Sequence, residues 1–144
     1  MRNGMRILHI VPSLGPSSGG TSTSVLGLVQ AQATQGADVH LLAGRNDREP
    51  PILGGNLAIQ QGKHLPLAFA IPGPGLWTTM ATAIAAADLV HLHSIWNGTT
   101  TAAGWLCRHH QKPMILTPHG MLDSHNMQRR AHFQTLRALG RRVA

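Results

Sequence analysis

Short apolar runs recur along the chain, each closed by proline, glycine or histidine. The first, residues 6–11, is almost continuously apolar through Ile7, Leu8, Ile10 and Val11. That is the pattern of a parallel strand covered on both faces. Pro12 ends it, and residues 12–20 form a loop rich in Gly, Pro and Ser. Val25, Leu28, Val29 and Gln32 then fall at helical spacing. They predict a helix that begins at Thr21 or Ser22, both good caps, and stops at Gly36. Residues 37–43 read as a second strand and complete a βαβ unit. Residues 45–63 show no period, broken by Pro50, Pro51, Gly54, Gly55 and Gly62. A third strand is expected over residues 65–71 in spite of Pro66, followed by a turn at 72–75 and an alanine-rich helix over 76–87. Residues 88–93 read as a fourth strand and 99–110 as a helix that Lys112 and Pro113 end. A fifth strand, short and buried, runs from Met114 to its stop at Pro118. Residues 126–144 are basic and helix-compatible. This alternation predicts the α/β class: a Rossmann-like, doubly wound parallel sheet. Loops that follow its strands share one edge, where such sheets build ligand sites.

The totals narrow the reading. A chain of 144 residues, 42% hydrophobic, suits one domain with a moderate core. Aromatics are 3% and Tyr is absent, so the core must rest on Leu, Ile, Val, Ala and Met. The net charge of +7 favours anionic partners. Nucleic acid is not expected, because the arginines are not interleaved with aromatics and no reading motif is present. Trp77, Trp96 and Trp105 fall in three separate segments. The single cysteine, Cys107, allows no disulfide within the chain. It points to a reducing compartment and reads as a small buried residue. The first apolar run is too short for a signal-peptide core or a membrane span, so a cytoplasmic location is expected.

Three strand ends carry candidate chemistry. Gly15-Pro-Ser-Ser-Gly-Gly20 precedes a helix N-terminus, where backbone amides suit a phosphate. It reads equally well as a flexible connection. It is neither G-x-G-x-x-G nor a P-loop, and strand two ends in Ala43-Gly44-Arg45 with no acid to hold a ribose. That opposes NAD and leaves Arg45 as a narrow opening for NADP. His91 and His93, two residues apart, share one strand face. Two such histidines can bind metal, but the few acids and the lone Cys lie at no metal-like spacing, so none is expected. His91 reads as a satisfied core histidine and His93, nearer the strand end, as a site candidate. His119 sits between Pro118 and Gly120, which fix its approach and let a ligand come close. Such an imidazole can donate to a sugar hydroxyl or a phosphate; the alternative is a mere strand cap. Asp123 either caps the last helix or contacts a ligand. Asn97-Gly-Thr99 fits a glycosylation sequon that a cytoplasmic chain would not use. Residues 127–144 hold Arg129, Arg130, Arg137, Arg141 and Arg142 and no acid, with Phe133, Leu136, Leu139 and Val143 on one side. A basic amphipathic helix of this kind can lie on an anionic membrane or be an ordinary surface helix.

These segments resemble the N-terminal domain of the family 4 glycosyltransferases, which have the two-domain GT-B fold. Met5-Arg-Ile-Leu-His-Ile-Val-Pro-Ser-Leu14 with Gly19 and Gly20 is similar to the family's first strand and glycine loop. Ala87-Asp-Leu-Val-His-Leu-His-Ser-Ile-Trp96 is similar to its aspartate-initiated fourth strand. Lys112-Pro-Met-Ile-Leu-Thr-Pro-His-Gly-Met-Leu-Asp123 is similar to its fifth strand and histidine loop. The resemblance implies that residues 1–144 are the acceptor-side half of a GT-B fold, C-terminally truncated, with the donor-binding domain absent. The activity implied is transfer of a sugar from a nucleotide-sugar donor to a glycan or lipid-linked acceptor, with retention, as in polysaccharide assembly. It needs no metal or other cofactor. Gly19, Gly20 and Thr21 would lie near the donor phosphates, and His119 would reach the transferred sugar as the catalytic residue. His93, Trp96, Gly120 and Asp123 would line the acceptor side, with His93 and Asp123 the candidates for a general base. The family's donor domain supplies a Glu-x7-Glu pair, whereas the single glutamate here is Glu49. The chain alone is therefore expected to be inactive until a donor-domain chain is supplied. Peripheral contact with the inner face of the membrane is a further expectation. The alternative is a non-catalytic anion-, sugar- or membrane-binding module or a truncated relic; an NADP-type oxidoreductase comes third.

Overall fold

A computed structural model describes residues 4–15, 19–44, 57–65 and 70–124. In chain order its elements are β1 (Arg6–Val11), α1 (Gly19–Thr34), β2 (Asp38–Gly44), β3 (Leu57–Gly62), α2 (Pro74–Ala86), β4 (Leu89–His93), α3 (Gly98–His109) and β5 (Met114–Thr117). The strands form one parallel sheet in the order β3-β2-β1-β4-β5. This is the expected Rossmann-like α/β arrangement. The direction of winding changes at β1, so the boundary of β1 and β4 is the switch point where such sheets open a crevice.

Strand alternation splits the core into two layers. On one face Val11, Val39, Leu41 and Ala43 pack against Val25, Val29 and Ala33 of α1. On the other, Leu8, Ile10, Leu42, Val90 and Leu92 meet Leu76, Met80 and Ile84 of α2 and Ala103, Leu106 and Cys107 of α3. Cys107 is fully buried, and burial pushes its thiol up to about 11, so it serves as packing. The amino ends of three strands are tied through Arg6. Its backbone N–H donates to the Asp88 carboxylate at 2.8 Å, its carbonyl accepts from Asp88 N, and its guanidinium donates to Asp38 at 2.8 Å. The Arg6 hydrogen bond also holds the Asp38 carboxyl below its usual range.

Four features differ from the pattern reading. Helix α1 begins at Gly19, so Thr21 and Ser22 lie inside its first turn and neither is the cap; the buried Ser22 hydroxyl points back to the Gly15 carbonyl at 3.5 Å. The third strand is residues 57–62 rather than 65–71. Leu57 and Ile59 lean on the α1-side core and alternate with exposed Ala58 and Gln60, the pattern of a half-buried strand. Gly62 belongs to that strand through its pairing with Gly44 of β2, and Leu76 of α2 presses so close that a Cβ there would stand 2.8 Å from the Leu76 Cβ. Residues 64 and 72 instead form an isolated antiparallel bridge, and Leu65 N donates to Ile71 O at 2.8 Å. Finally, β5 is an edge and not a buried strand: Met114, Ile115 and Leu116 are each about half exposed, with β4 as their described neighbour. The basic segment 126–144 lies outside the described residues. Among the described residues no helix is long and apolar enough to cross a membrane.

Two substitutions test this packing. Helix α3 starts behind Asn97, whose side-chain oxygen accepts from Thr100 N at 2.9 Å. Asn97→Ala is expected to lower stability by about 1 kcal/mol through loss of that cap. At the end of β2, a Cβ on Gly44 would run into the His64 ring and the Pro12 carbonyl. Gly44→Ala is expected to cost about 2 kcal/mol. Urea unfolding midpoints of both variants against the parent check the two values.

Candidate functional site

The carboxyl edge of the sheet gathers histidines from three separate segments. His9 of β1 shares a strand face with Val11, so it points to the α1 side. There its Nε2 lies 2.7 Å from the Gln32 Oε1 of α1. In β4, His91 and His93 alternate with Val90 and Leu92, which belong to the opposite core, so both imidazoles turn toward α1. His9 Nδ1 stands 2.9 Å from His93 Nε2, and His93 Nδ1 stands 2.9 Å from His119 Nε2. Ring centroids are 5.2 Å apart in both pairs. That is close to the most such a nitrogen contact permits for two five-membered rings, so the bonds run in line. A continuous hydrogen-bonded series results: Gln32, His9, His93, His119. His91 stands beside it, its Nε2 2.7 Å from the Thr117 hydroxyl. His9 and His93 are fully buried, while His119 is half-buried at the end of the series.

The backbone around this edge is unusual. Ser94 (φ 72°), Trp96 (φ 62°) and His119 (φ 51°) are all left-handed non-glycine residues, and they cluster where β4 and β5 end. Left-handed conformations of this kind cost on the order of 1–3 kcal/mol each and gather at functional sites. Ser94 N is held by the Thr117 carbonyl at 2.9 Å, and the turn after β5 closes with Met121 N on Pro118 O and Asp123 N on Gly120 O. Gly120 (φ 75°) continues the left-handed course that brings the His119 ring back over His93.

The other candidates lie on the same edge. Gly19 and Gly20 open α1 and are exposed; a Cβ on either would meet nothing within 4 Å, and Gly19 has φ 53°. Thr21 is partly exposed in the same turn. Residues 16–18 of the glycine loop lie outside the described residues. Trp96 is 45% exposed and borders a cleft of about 200 Å³ with Ile95, Thr100, Met114 and Leu116. Gly120 and Asp123 are exposed in the turn that carries His119. His93, by contrast, has both ring nitrogens engaged by His9 and His119. A larger cavity, about 370 Å³, opens beneath α2 toward the amino edge, by Arg6, His40 and Ala86.

Four participants lie outside the candidate site residues that the sequence offers. His9 sits within an apparently plain core strand, Gln32 within a helix face, and Thr117 within the fifth strand. His64 follows β3 and donates from Nε2 to the Thr99 hydroxyl at 3.0 Å, which in turn donates to the Ala70 carbonyl; burial lowers its pKa. The signal was parity: His9 interrupts an otherwise apolar strand. With it, His9, His91 and His93 each bring a ring nitrogen within 4.8 Å of the others, a grouping that His91 and His93 alone do not make. The in-line contact aims His9 and His93 at one another instead of at a common point, so a cation there would have to displace that hydrogen bond.

Burial, set against the Gln32 hydrogen bond and helped by His91, lowers His9 to about 4. Burial, helped by His91, His9 and His119, lowers His93 to about 2. Both rings are neutral at pH 7. In the unfolded chain they take up protons below about 6.5. The unfolded state therefore binds more protons across the interval from 6.5 down to 4, and stability falls there as pH drops. Each ring contributes a slope of about 1.4 kcal/mol per pH unit. The Asp38 contribution is lost only at lower pH, in the carboxylate range. Urea midpoints measured between pH 7.5 and 4.5 are expected to fall steeply, and His93→Phe is expected to flatten the dependence.

One comparison, with protein-family models, agrees with the sequence resemblance. The family model for Glycosyltransferase Family 4 matches residues 18–144. No curated protein matches the chain. Among solved structures, a protein from the universal stress protein family from Burkholderia pseudomallei is similar over 78% of this chain and 95% of its own, with 14% identity and a TM-score of 0.40. A likeness that distant carries no functional argument. The family match runs from the start of α1 through both histidine-bearing strand ends and covers most of the sequence, and on that ground the chain belongs to glycosyltransferase family 4.

Proposed function

We propose that this chain is the acceptor-side domain of a retaining glycosyltransferase, which moves a sugar from a nucleotide-sugar donor to a glycan or lipid-linked acceptor. The observation that carries the reading is the carboxyl edge at the β1–β4 switch point. There the exposed amino end of α1 and the strained turn bearing His119 lie on the same edge of the sheet. In the reaction the bond between the anomeric carbon and the phosphate oxygen breaks, and its electron pair leaves with the nucleotide diphosphate. A bond forms from the acceptor oxygen to the same carbon, and the acceptor proton passes to the departing phosphate. Negative charge grows on the leaving group, and the amides of Gly19, Gly20 and Thr21 at a helix N-terminus suit such an anion. His119 contacts the transferred sugar. Trp96, with an exposed aromatic face, Gly120 and Asp123 serve the acceptor, while His93 acts from behind His119. None of these steps assigns a role to a metal.

The donor contacts are completed by a donor-binding domain carrying the family's glutamate pair, for which Glu49 is no counterpart. Assembly of a polysaccharide or lipid-linked glycan at the cytoplasmic face of a membrane is the setting this reading favours, with the arginines of residues 127–144 meeting anionic lipid.

The test joins the chain to the donor domain of a full-length family member and measures release of nucleotide diphosphate from a panel of nucleotide sugars. Turnover is expected, with His119→Ala lowering it at least 100-fold, on the scale of a lost transition-state contact. A folded complex with no turnover on any donor would replace the enzyme reading with a sugar- or anion-binding module.

A further inference from the structure

The in-line series from Gln32 to His119 has a direction, and that direction decides what His119 can do. Gln32 presents its amide oxygen, an acceptor, to His9 Nε2. The proton must therefore sit on Nε2 of His9. Burial keeps His9 neutral, so its Nδ1 carries a lone pair. His93 must then donate to it from Nε2 at 2.9 Å. His93 is neutral as well, which makes its own Nδ1 an acceptor. The proton of the last 2.9 Å contact consequently belongs to His119 Nε2. On the neutral His119 ring, what is offered beyond the series is the other nitrogen, Nδ1, with its lone pair. If Gln32 turned its amide group the other way, every bond would reverse and His119 would end as a donor.

We propose that Gln32 and His9 are positioning residues that act through His93 to hold His119 in its Nε2–H tautomer, so that Nδ1 accepts a hydrogen bond from a sugar hydroxyl. This inverts the role expected of His119 from its position alone, that of a donor to sugar or phosphate. It also rejects phosphate oxygens at that nitrogen, because a lone pair facing an anion is repulsive, and so divides the edge by chemistry. The anion belongs to the amides of α1 and the hydroxyl to His119. The identity of the hydroxyl-bearing ligand rests on the glycosyltransferase reading; the tautomer does not.

The experiment is long-range 1H–15N correlation spectroscopy at pH 7.5 on the whole chain, labelled with 15N histidine. In the parent protein His9, His93 and His119 are expected to show a protonated Nε2 and an unprotonated Nδ1. Gln32→Met removes the acceptor at similar volume, and the His119 signals are expected to move toward a mixture of tautomers. Gln32→Glu can only accept and is expected to restore the parent pattern, which a purely space-filling role for Gln32 would not require. Thr117→Val, which removes the hydroxyl on His91 and leaves the series intact, is expected to change nothing at His119. A protonated Nδ1 on His119 in the parent overturns the proposal. So does an unchanged His119 tautomer in a folded Gln32→Met variant. In the enzyme joined to a donor domain, Gln32→Met is expected to lower turnover at least 10-fold and Gln32→Glu to recover it. If the joined enzyme turns over no donor while the parent tautomer is as described, the glycosyl-transfer reading fails and the tautomer assignment stands.

Discussion

A neutral imidazole sealed inside a parallel sheet needs a partner for each ring nitrogen, one to give a proton and one to take it. Leaving either unmet costs about 1–3 kcal/mol. His9 and His93 are both sealed in this way, at 0% and 1% exposure. Much of the site follows from that need. It accounts for Gln32 on the face of α1 that otherwise carries Val25, Val29 and Ala33. It accounts for His93 on β4, which meets both His9 and His119. It also accounts for the left-handed His119 and Gly120, since an extended course after Pro118 would carry the last ring away from His93.

The parts of the fold that depend on local pattern were legible in the chain. Buried runs such as Leu8 and Ile10, or Val90 and Leu92, announce strands, and Asp88 marks a strand start that the structure ties to Arg6. The parts that depend on neighbours were not. Gly62 reads as a break, yet it pairs with Gly44 as a strand residue, and the approach of Leu76 is what leaves no room for a side chain there. Met114, Ile115 and Leu116 have the composition of an interior strand, yet sheet order alone makes them an edge. In the site, His93 and His119 stood out because they sit at strand ends. His9 and Gln32 did not, because their meanings depend on contacts spanning 84 and 23 residues. A polar residue inside a strand destined for full burial was the one available hint.

The distribution of charge at this edge follows from the same burial. The chain carries +7 overall, but the buried histidines His9 and His93 add no positive charge at neutral pH, because desolvation keeps them unprotonated. Attraction for an anion is left to the amide dipoles of α1, which are fixed in direction and independent of pH. On the proposed reading, a family 4 glycosyltransferase domain built this way separates the group that would stabilise a leaving phosphate from the group that would touch a neutral sugar.

The position of β1 has a consequence for how the molecule is made. It is synthesised early and pairs with β2 across the α1 crossover, where Ile7 meets Val39, but its other neighbour, β4, lies about 80 residues on: Ile7 pairs with Leu89. Closing so long a loop carries an entropic penalty that local pairing does not, and contacts of that kind form slowly. The partner of His9 Nε2 is Gln32, 23 residues on, whereas the partner of its Nδ1 is His93 of β4, which is made much later. The strand at the centre of the finished sheet is thus among the first to be made and among the last to gain both neighbours, and the carboxyl edge that carries the histidines is assembled only when synthesis has passed His119.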